Sequence, residues 1–164
     1  MIYTEVSLEE YYTFTTEESE KMELFALADK LGGNLELAIK RLAESHLKNV
    51  TFRQGGVGAL SYADDTFDIV LSLNGFHAFT DKEAAFRETF RVLKPGGTFC
   101  GCFYIKGEHK RTDWFVRHAY EKAGFFTPPY ETVSSLKARL DGMYTDVDMG
   151  NLKSMALFVC RKAG

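Results

Sequence analysis

The segment that most constrains the fold is Phe67-Asp68-Ile69-Val70-Leu71-Ser72-Leu73. After Asp68 it is apolar at almost every position, so neither side of an extended chain is left for water. Such a run suits a strand covered on both faces, the condition of an interior strand in a parallel sheet. A parallel neighbour must be reached through a crossover, usually a helix. The chain supplies one at once. Thr80 and Glu83 form a capping box, and Phe86, Phe90 and Leu93 recur on one helical face. Lys94-Pro95-Gly96-Gly97 then blocks the helix and permits the reversal into a further strand.

Extending this reading predicts strands over 50–54, 67–73 and 98–105, mutually parallel. Helices are predicted over 17–31, 34–47, 81–93, 112–123 and 132–143. The first is headed by a Thr15/Glu18 capping box and carries the stripe Leu24, Leu27, Ala28, Leu31. The second follows Gly32-Gly33 and can be capped by Asn34, with Leu35, Ala38, Ile39 and Leu42 on its face. Thr132 can cap the last. The tail, with Val147 and then Ala156-Leu157-Phe158-Val159-Cys160, reads as a closing hairpin. Met1 to Thr16 is ambiguous between a short strand beginning with Ile2, Tyr3 and Val6 and an aromatic patch at Tyr11, Tyr12 and Phe14. Alternating strands and helices define an α/β class with a mostly parallel sheet. A chain of 164 residues without linker, repeat or low-complexity segment is expected to form one domain, with residues 1–33 an N-terminal segment and helix and 34–164 the core.

Bulk composition narrows the function classes. The net charge is −3 and no run gathers Lys and Arg into a stripe, which argues against nucleic acid as a partner. No apolar run approaches the ~20 residues of a membrane-spanning helix, so no membrane partner is expected. Three cysteines, Cys100, Cys102 and Cys160, make no disulfide framework, and with no apolar leader segment they suggest a reducing cytoplasm. Cys100 and Cys102 face one way in a strand, and no second pair completes a zinc set; no metal is expected.

Two stretches carry a resemblance: Leu60-Ser61-Tyr62-Ala63-Asp64-Asp65-Thr66-Phe67-Asp68-Ile69-Val70 and Arg91-Val92-Leu93-Lys94-Pro95-Gly96-Gly97. In this order and spacing they are similar to the class I S-adenosylmethionine-dependent methyltransferases that act on small molecules, including the quinone-biosynthesis type. The resemblance covers Asn34 to the C-terminus. It implies a Rossmann-like sheet of seven strands with the last antiparallel, helices on both faces, S-adenosylmethionine as cofactor and a small-molecule acceptor. It also implies cofactor contacts at two strand ends. One is the turn Gly55-Gly56-Val57, which lines the adenine in the family; here Gly56 stands where the family places an acid. The other is Leu73-Asn74-Gly75, beside the methionine moiety and its methyl. His77 lies just beyond, and an imidazole there could remove the acceptor's proton; a loop histidine with ordinary contacts is the other reading.

Two motifs are set aside. Gly56-Val57-Gly58-Ala59-Leu60 places Ser61 where a dinucleotide loop needs its third glycine, so a nicotinamide enzyme is not expected. Thr127-Pro128-Pro129-Tyr130 resembles the D/N-P-P-Y of amino-methylating nucleic-acid enzymes, but it begins with Thr and comes one strand-helix unit too late; it reads as a rigid connection.

The family's opening strand, glycine-rich turn, helix and second strand find no counterpart between Leu31 and Asn34, a shortfall of roughly forty residues. The first two family strands are therefore expected to be lacking. Three accounts stay open: a shortened protein with a rearranged sheet, a homodimer supplying the missing edge, or a lost segment. The remedies to look for are direct pairing of 50–54 with 67–73, insertion of Met1–Val6, an intermolecular strand, or a discontinuity near Lys30–Asn34. Function divides likewise, between methyl transfer to a small molecule and a non-catalytic methyltransferase-like domain acting through protein contacts.

Overall fold

A computed structural model describes the backbone of residues 10–15, 23–28 and 50–54 and the whole of residues 56–164. Seven strands form one sheet: β1 (Glu10–Thr15), β2 (Glu23–Ala28), β3 (Val50–Gln54), β4 (Phe67–Leu73), β5 (Leu93–Tyr104), β6 (Asp146–Leu152) and β7 (Met155–Arg161). Their order across the sheet is β3-β1-β2-β4-β5-β7-β6. The described helices are α1 (Lys82–Val92), α2 (Lys110–Phe115), continued by a π-helical turn Val116–Tyr120, and α3 (Val133–Met143).

The sheet is mixed. β2–β4 and β4–β5 pair in parallel, while β1–β2, β1–β3, β5–β7 and β6–β7 are antiparallel. Tracing these pairings, β2 to β6 all run one way and only β1 and β7 are reversed. The expected common direction of 50–54, 67–73 and 98–105 therefore holds, and so does the closing antiparallel hairpin. The expectation of a mostly parallel sheet needs correcting at the level of neighbours. Because the two reversed strands are interior, parallel pairing is confined to β2–β4–β5.

The larger correction concerns the missing centre. Two strands do fill it, and they come from the N-terminal segment. Glu23–Ala28 lies in the span read as a helix over 17–31, yet it pairs in parallel with β4, Leu24 opposite Ile69 and Ala28 opposite Leu73. Glu10–Thr15 bridges it to β3. A run as short as Glu23-Leu24-Phe25-Ala26-Leu27-Ala28 fits a helical stripe and a buried strand equally well. What decides is the edge of β4, whose backbone groups need partners that only a strand supplies. Inserting 10–15 and 23–28 is the remedy adopted, instead of direct pairing of β3 with β4; Met1–Val6 lies outside the described residues. The predicted helix over 34–47 and the junction Lys30–Asn34 lie outside the described residues.

Downstream, the predictions hold closely. α1 starts one residue later than its expected cap: the side chain of Asp81, not Thr80, accepts the N–H of Ala84 at 2.9 Å. Thr132 caps α3 as predicted, in a reciprocal box with Ser135. Phe67 faces Leu93 and Ile69 faces Thr98, so Lys94–Gly97 is a bulge at the start of β5, with Gly96 at φ +74°.

The two recognised stretches prove to be one structural unit. Arg91 leaves α1 and donates to the carbonyls of Tyr62 (2.8 Å) and Leu60 (3.0 Å) and to Asp64 (2.7 Å). Glu88 grips the same guanidinium at 2.8 Å and accepts the Leu60 N–H at 2.9 Å. The arginine thus satisfies the carbonyls of a loop that makes no ladder of its own, and so sets where β4 begins.

One face of the sheet carries the core. Phe99, Phe103 and Phe158 meet Phe76 and Phe86 in an aromatic cluster, with Phe76 and Phe86 centred 4.2 Å apart. Leu136 and Leu140 of α3 join the same cluster, fully buried. On the other face Leu157 and Val159 stay about half exposed. Accordingly β4 is fully buried only at Phe67, Val70 and Ser72, not on both faces as its composition suggested. No helix among the described residues is long and apolar enough to cross a membrane.

Candidate active site

The strand order locates a crevice. From β2 the chain continues to β3 on one side of the sheet; from β4 it continues through α1 to β5 on the other. β2 and β4 are parallel neighbours, so their carboxyl ends, Ala28 and Leu73, sit side by side at the point where the winding reverses. Ligands of open α/β sheets bind at such switch points, because the two connections leave in opposite directions and open a gap.

The β4 side of the crevice is built from the predicted Leu73-Asn74-Gly75. Leu73 is 53% exposed, high for a strand leucine. Asn74 adopts φ +57°, a conformation asparagine tolerates, and its N–H donates to the Cys102 carbonyl at 2.8 Å. The turn is thereby pinned to β5. Gly75 is buried, and a Cβ there would meet the Phe79 ring at 2.7 Å and Ser72 Oγ at 3.1 Å. Packing of Phe79 is thus enough to require glycine at 75. At the end of β3, Gly55 lies outside the described residues. Gly56 is exposed with open space about its Cα, and Val57 is buried in the core. Three strand spacings, about 14 Å, separate β3 from β4, so the two predicted turns flank the crevice instead of meeting in it.

His77 is 4% exposed, its ring stacked on Phe126 at 4.0 Å. Burial, reinforced by the nearby Lys82 cation, lowers its pKa to about 4. Lys82 is itself buried; Nζ donates to the carbonyls of Phe79 (3.0 Å) and Thr127 (2.5 Å). Desolvation brings its pKa down to about 8 against the opposing pull of Glu131. With Thr127 N–H donating to the His77 carbonyl at 3.0 Å, these groups staple the exit of β4 to residues 126–127. Thr127-Pro128-Pro129-Tyr130 does connect the π turn to α3, and its first carbonyl is one end of that staple.

Beyond the end of β5 opens a cleft of about 620 Å³ that the sequence reading missed. Tyr104, Trp114 and Tyr130 contribute rings to it, and Lys106, Lys110 and Arg117 contribute cations. A signal was present: Trp114, the chain's single tryptophan, falls in the polar helix Lys-Arg-Thr-Asp-Trp-Phe, where nothing on the helix itself can bury it.

Several known proteins similar to this chain are described as methyltransferases. A methyltransferase domain model matches residues 23–101, beginning at the first residue of β2 and ending within β5. That span thus matches a methyltransferase domain, the kind of protein that the two recognised stretches resemble. YcgJ of Bacillus subtilis, described as an uncharacterized methyltransferase, is 37% identical over 84 residues, 51% of this chain and 33% of that protein. The ubiquinone/menaquinone biosynthesis C-methyltransferase UbiE of Shewanella sp. is 33% identical over 104 residues, 63% of this chain and 40% of that protein. The chain thus spans well under half the length of these curated relatives. The crystal structure of YcgJ superposes with a TM-score of 0.62 over 79% of this chain and 78% of that one, at 20% identity. A Haemonchus contortus phosphoethanolamine N-methyltransferase 2, solved with S-adenosylhomocysteine, gives 0.65 over 79% and 41% at 12% identity. The family's cofactor is S-adenosylmethionine.

The crevice fits such a cofactor in its chemistry. An exposed apolar side chain, Leu73, and an exposed amide, Asn74, stand at its mouth, suited to a methylene chain and a polar amino-acid end. Beneath them Ser72 Oγ is fully buried and has no partner among the described residues.

Proposed function

We propose that this chain transfers a methyl group from S-adenosylmethionine to a small-molecule acceptor. The observation that carries the reading is the topological switch point where the parallel strands β2 and β4 end side by side, Ala28 opposite Leu73, inside the span matched by the methyltransferase model. The bound cofactor supplies an electrophilic methyl on a sulfonium. The residues assigned to hold it are Leu73, Asn74 and Gly75 at the end of β4 and Gly55, Gly56 and Val57 at the end of β3.

In-line attack on a sulfonium needs a positioned nucleophile with water excluded more than it needs acid catalysis. The residues of this chain are suited to positioning. The Asn74 turn is fixed to β5, and Lys82 locks residues 126–127 against the β4 exit. A base with a pKa near 4 is a weak one at neutral pH. We therefore assign His77 a neutral imidazole that lines and shapes the reaction chamber, accepting the acceptor's proton only as the new bond forms.

Calorimetric titration of the full chain with S-adenosylhomocysteine tests the reading. Saturable one-site binding is expected, weakened at least about tenfold, or ~1.4 kcal/mol, by Leu73→Glu, which places a carboxylate at the crevice mouth without disturbing the core. Absence of binding to a folded wild-type chain would overturn the enzymatic reading.

A further inference from the structure

We propose that the acceptor is an aromatic carboxylate, held in the cleft beyond β5 with its ring against Trp114 and its anionic group among Lys106, Lys110 and Arg117. The inference rests on the methyl-transfer reading and goes beyond it by naming the substrate class.

Position comes first. Leu73 pairs with Cys102, and Tyr104 lies two residues further along the neighbouring strand. One strand spacing across and two residues along put the cleft about 8 Å from the switch point. The rings of the site are continuous with the β4 exit. His77 stacks on Phe126, Phe126 meets Tyr104 edge-on at 5.4 Å, and Tyr104 meets Tyr130 at 5.3 Å. A cleft of about 620 Å³ lies within the range of small-molecule sites.

Shape and polarity follow from the walls. Trp114 is 61% exposed, and one face of its indole stacks on His118 with centroids 4.5 Å apart and planes 20° from parallel. That stack holds the indole upright as a flat platform, the geometry that receives a second planar ring. His118 Nδ1 lies 2.7 Å from the Trp114 carbonyl, which can only accept, so Nδ1 carries the proton and a neutral ring leaves Nε2 as an acceptor for a hydroxyl.

Charge selects the substituent. The cleft's carboxylates are Asp113 and Glu121. Asp113 is committed: it accepts from Tyr104 Oη at 2.7 Å and from the Gly107 N–H at 3.0 Å. Glu121 stands close enough to Tyr130 to push that phenol's pKa upward, though less than burial does. Among the described residues no carboxylate forms an ion pair with Lys106, Lys110 or Arg117, in a chain whose net charge is −3. Three cations over an aromatic floor in an otherwise acidic protein make a complement for a single anion on a planar apolar body.

Because Trp114 is the only tryptophan, its fluorescence reports on this cleft alone. The full chain is titrated with 4-hydroxyphenylacetate and, separately, with its neutral counterpart 4-hydroxyphenylethanol, while S-adenosylhomocysteine binding is followed by calorimetry. The acid should quench Trp114 saturably and bind about tenfold or more tightly than the alcohol. Lys110→Glu with Arg117→Glu should remove that preference, leaving the affinity for S-adenosylhomocysteine and the circular dichroism unchanged. Equal affinity for acid and alcohol, or no quenching while S-adenosylhomocysteine binds, would overturn the proposal and leave methyl transfer standing. Quenching by the acid in a folded chain that does not bind S-adenosylhomocysteine would instead overturn methyl transfer and, with it, the acid's role as acceptor.

Discussion

Gly101→Ala is expected to destabilise the sheet strongly, because the added methyl meets main chain. Gly101 lies in β5 opposite Ser72 of β4 and Phe158 of β7. A Cβ there would stand 2.2 Å from the Ser72 carbonyl oxygen and 3.2 Å from the Phe158 ring. A relaxed carbon–oxygen contact is about 3.3 Å, so one strand must move by roughly 1 Å. The obstacle is main chain in the parallel pair and cannot rotate aside. Moving it stretches neighbouring ladder bonds, including Asn74 N–H to the Cys102 carbonyl at 2.8 Å. Overpacking contributes about 1–3 kcal/mol, and a weakened ladder bond about 1 kcal/mol more, giving a total of roughly 3 kcal/mol. For a chain of this size that is a fall in melting temperature of about 6–12 °C. The assay is a thermal melt followed by circular dichroism, with Gly142→Ala as the control. Gly142 lies inside α3 with nothing within 4 Å of the added atom, so alanine there should raise stability slightly. Since the Asn74 turn hangs from Cys102, Gly101→Ala should also weaken S-adenosylhomocysteine binding. A melting point within about 2 °C of wild type would refute the argument, because it would mean that β4 and β5 are not held as closely as described.

Two further outcomes are expected. His77 has a pKa of about 4 when folded against 6.5 in the open chain, so between these values only the unfolded state takes up the proton. Its contribution is therefore nil at neutral pH and a loss of about 3 kcal/mol on acidification from pH 6.5 through pH 4; denaturant titrations across that window should show the slope, and His77→Gln should flatten it. Phe76→Ala removes a fully buried ring that touches Phe79, Phe86, Phe99 and Phe103 and should cost about 3–5 kcal/mol in a urea titration.

How far the sequence could be read depended on whether a signal was local. The span from Phe67 to Arg161 was legible because each element there carries its own punctuation. The side-chain cap of α3 and the Pro-Gly-Gly break after Leu93 fix boundaries without reference to the rest of the chain. The family resemblance was legible for a related reason. Its two stretches are tied by Arg91, whose guanidinium needs the carbonyls of Leu60 and Tyr62, so the pattern survives as a unit.

The cleft beyond β5 was not legible. Its rings and cations come from β5, α2, the π turn and the loop before α3, and no sequence spacing brings them together. Gly75 was legible as a required glycine but not for its reason, since Phe79, four residues on, fills the space a side chain would occupy.

The sequence by itself determined the α/β class, the β4–α1–β5 crossover, the closing hairpin and the family resemblance. Only the tertiary structure decided what completes the sheet. Glu23–Ala28 is apolar enough to bury as helix or as strand, and its own residues do not distinguish the two. The choice is made by the open edge of β4, whose donors and acceptors demand a parallel neighbour, and by β1, which links that neighbour to β3. With β2 in place, two parallel strands end side by side at Ala28 and Leu73, and the switch point exists because of that pairing.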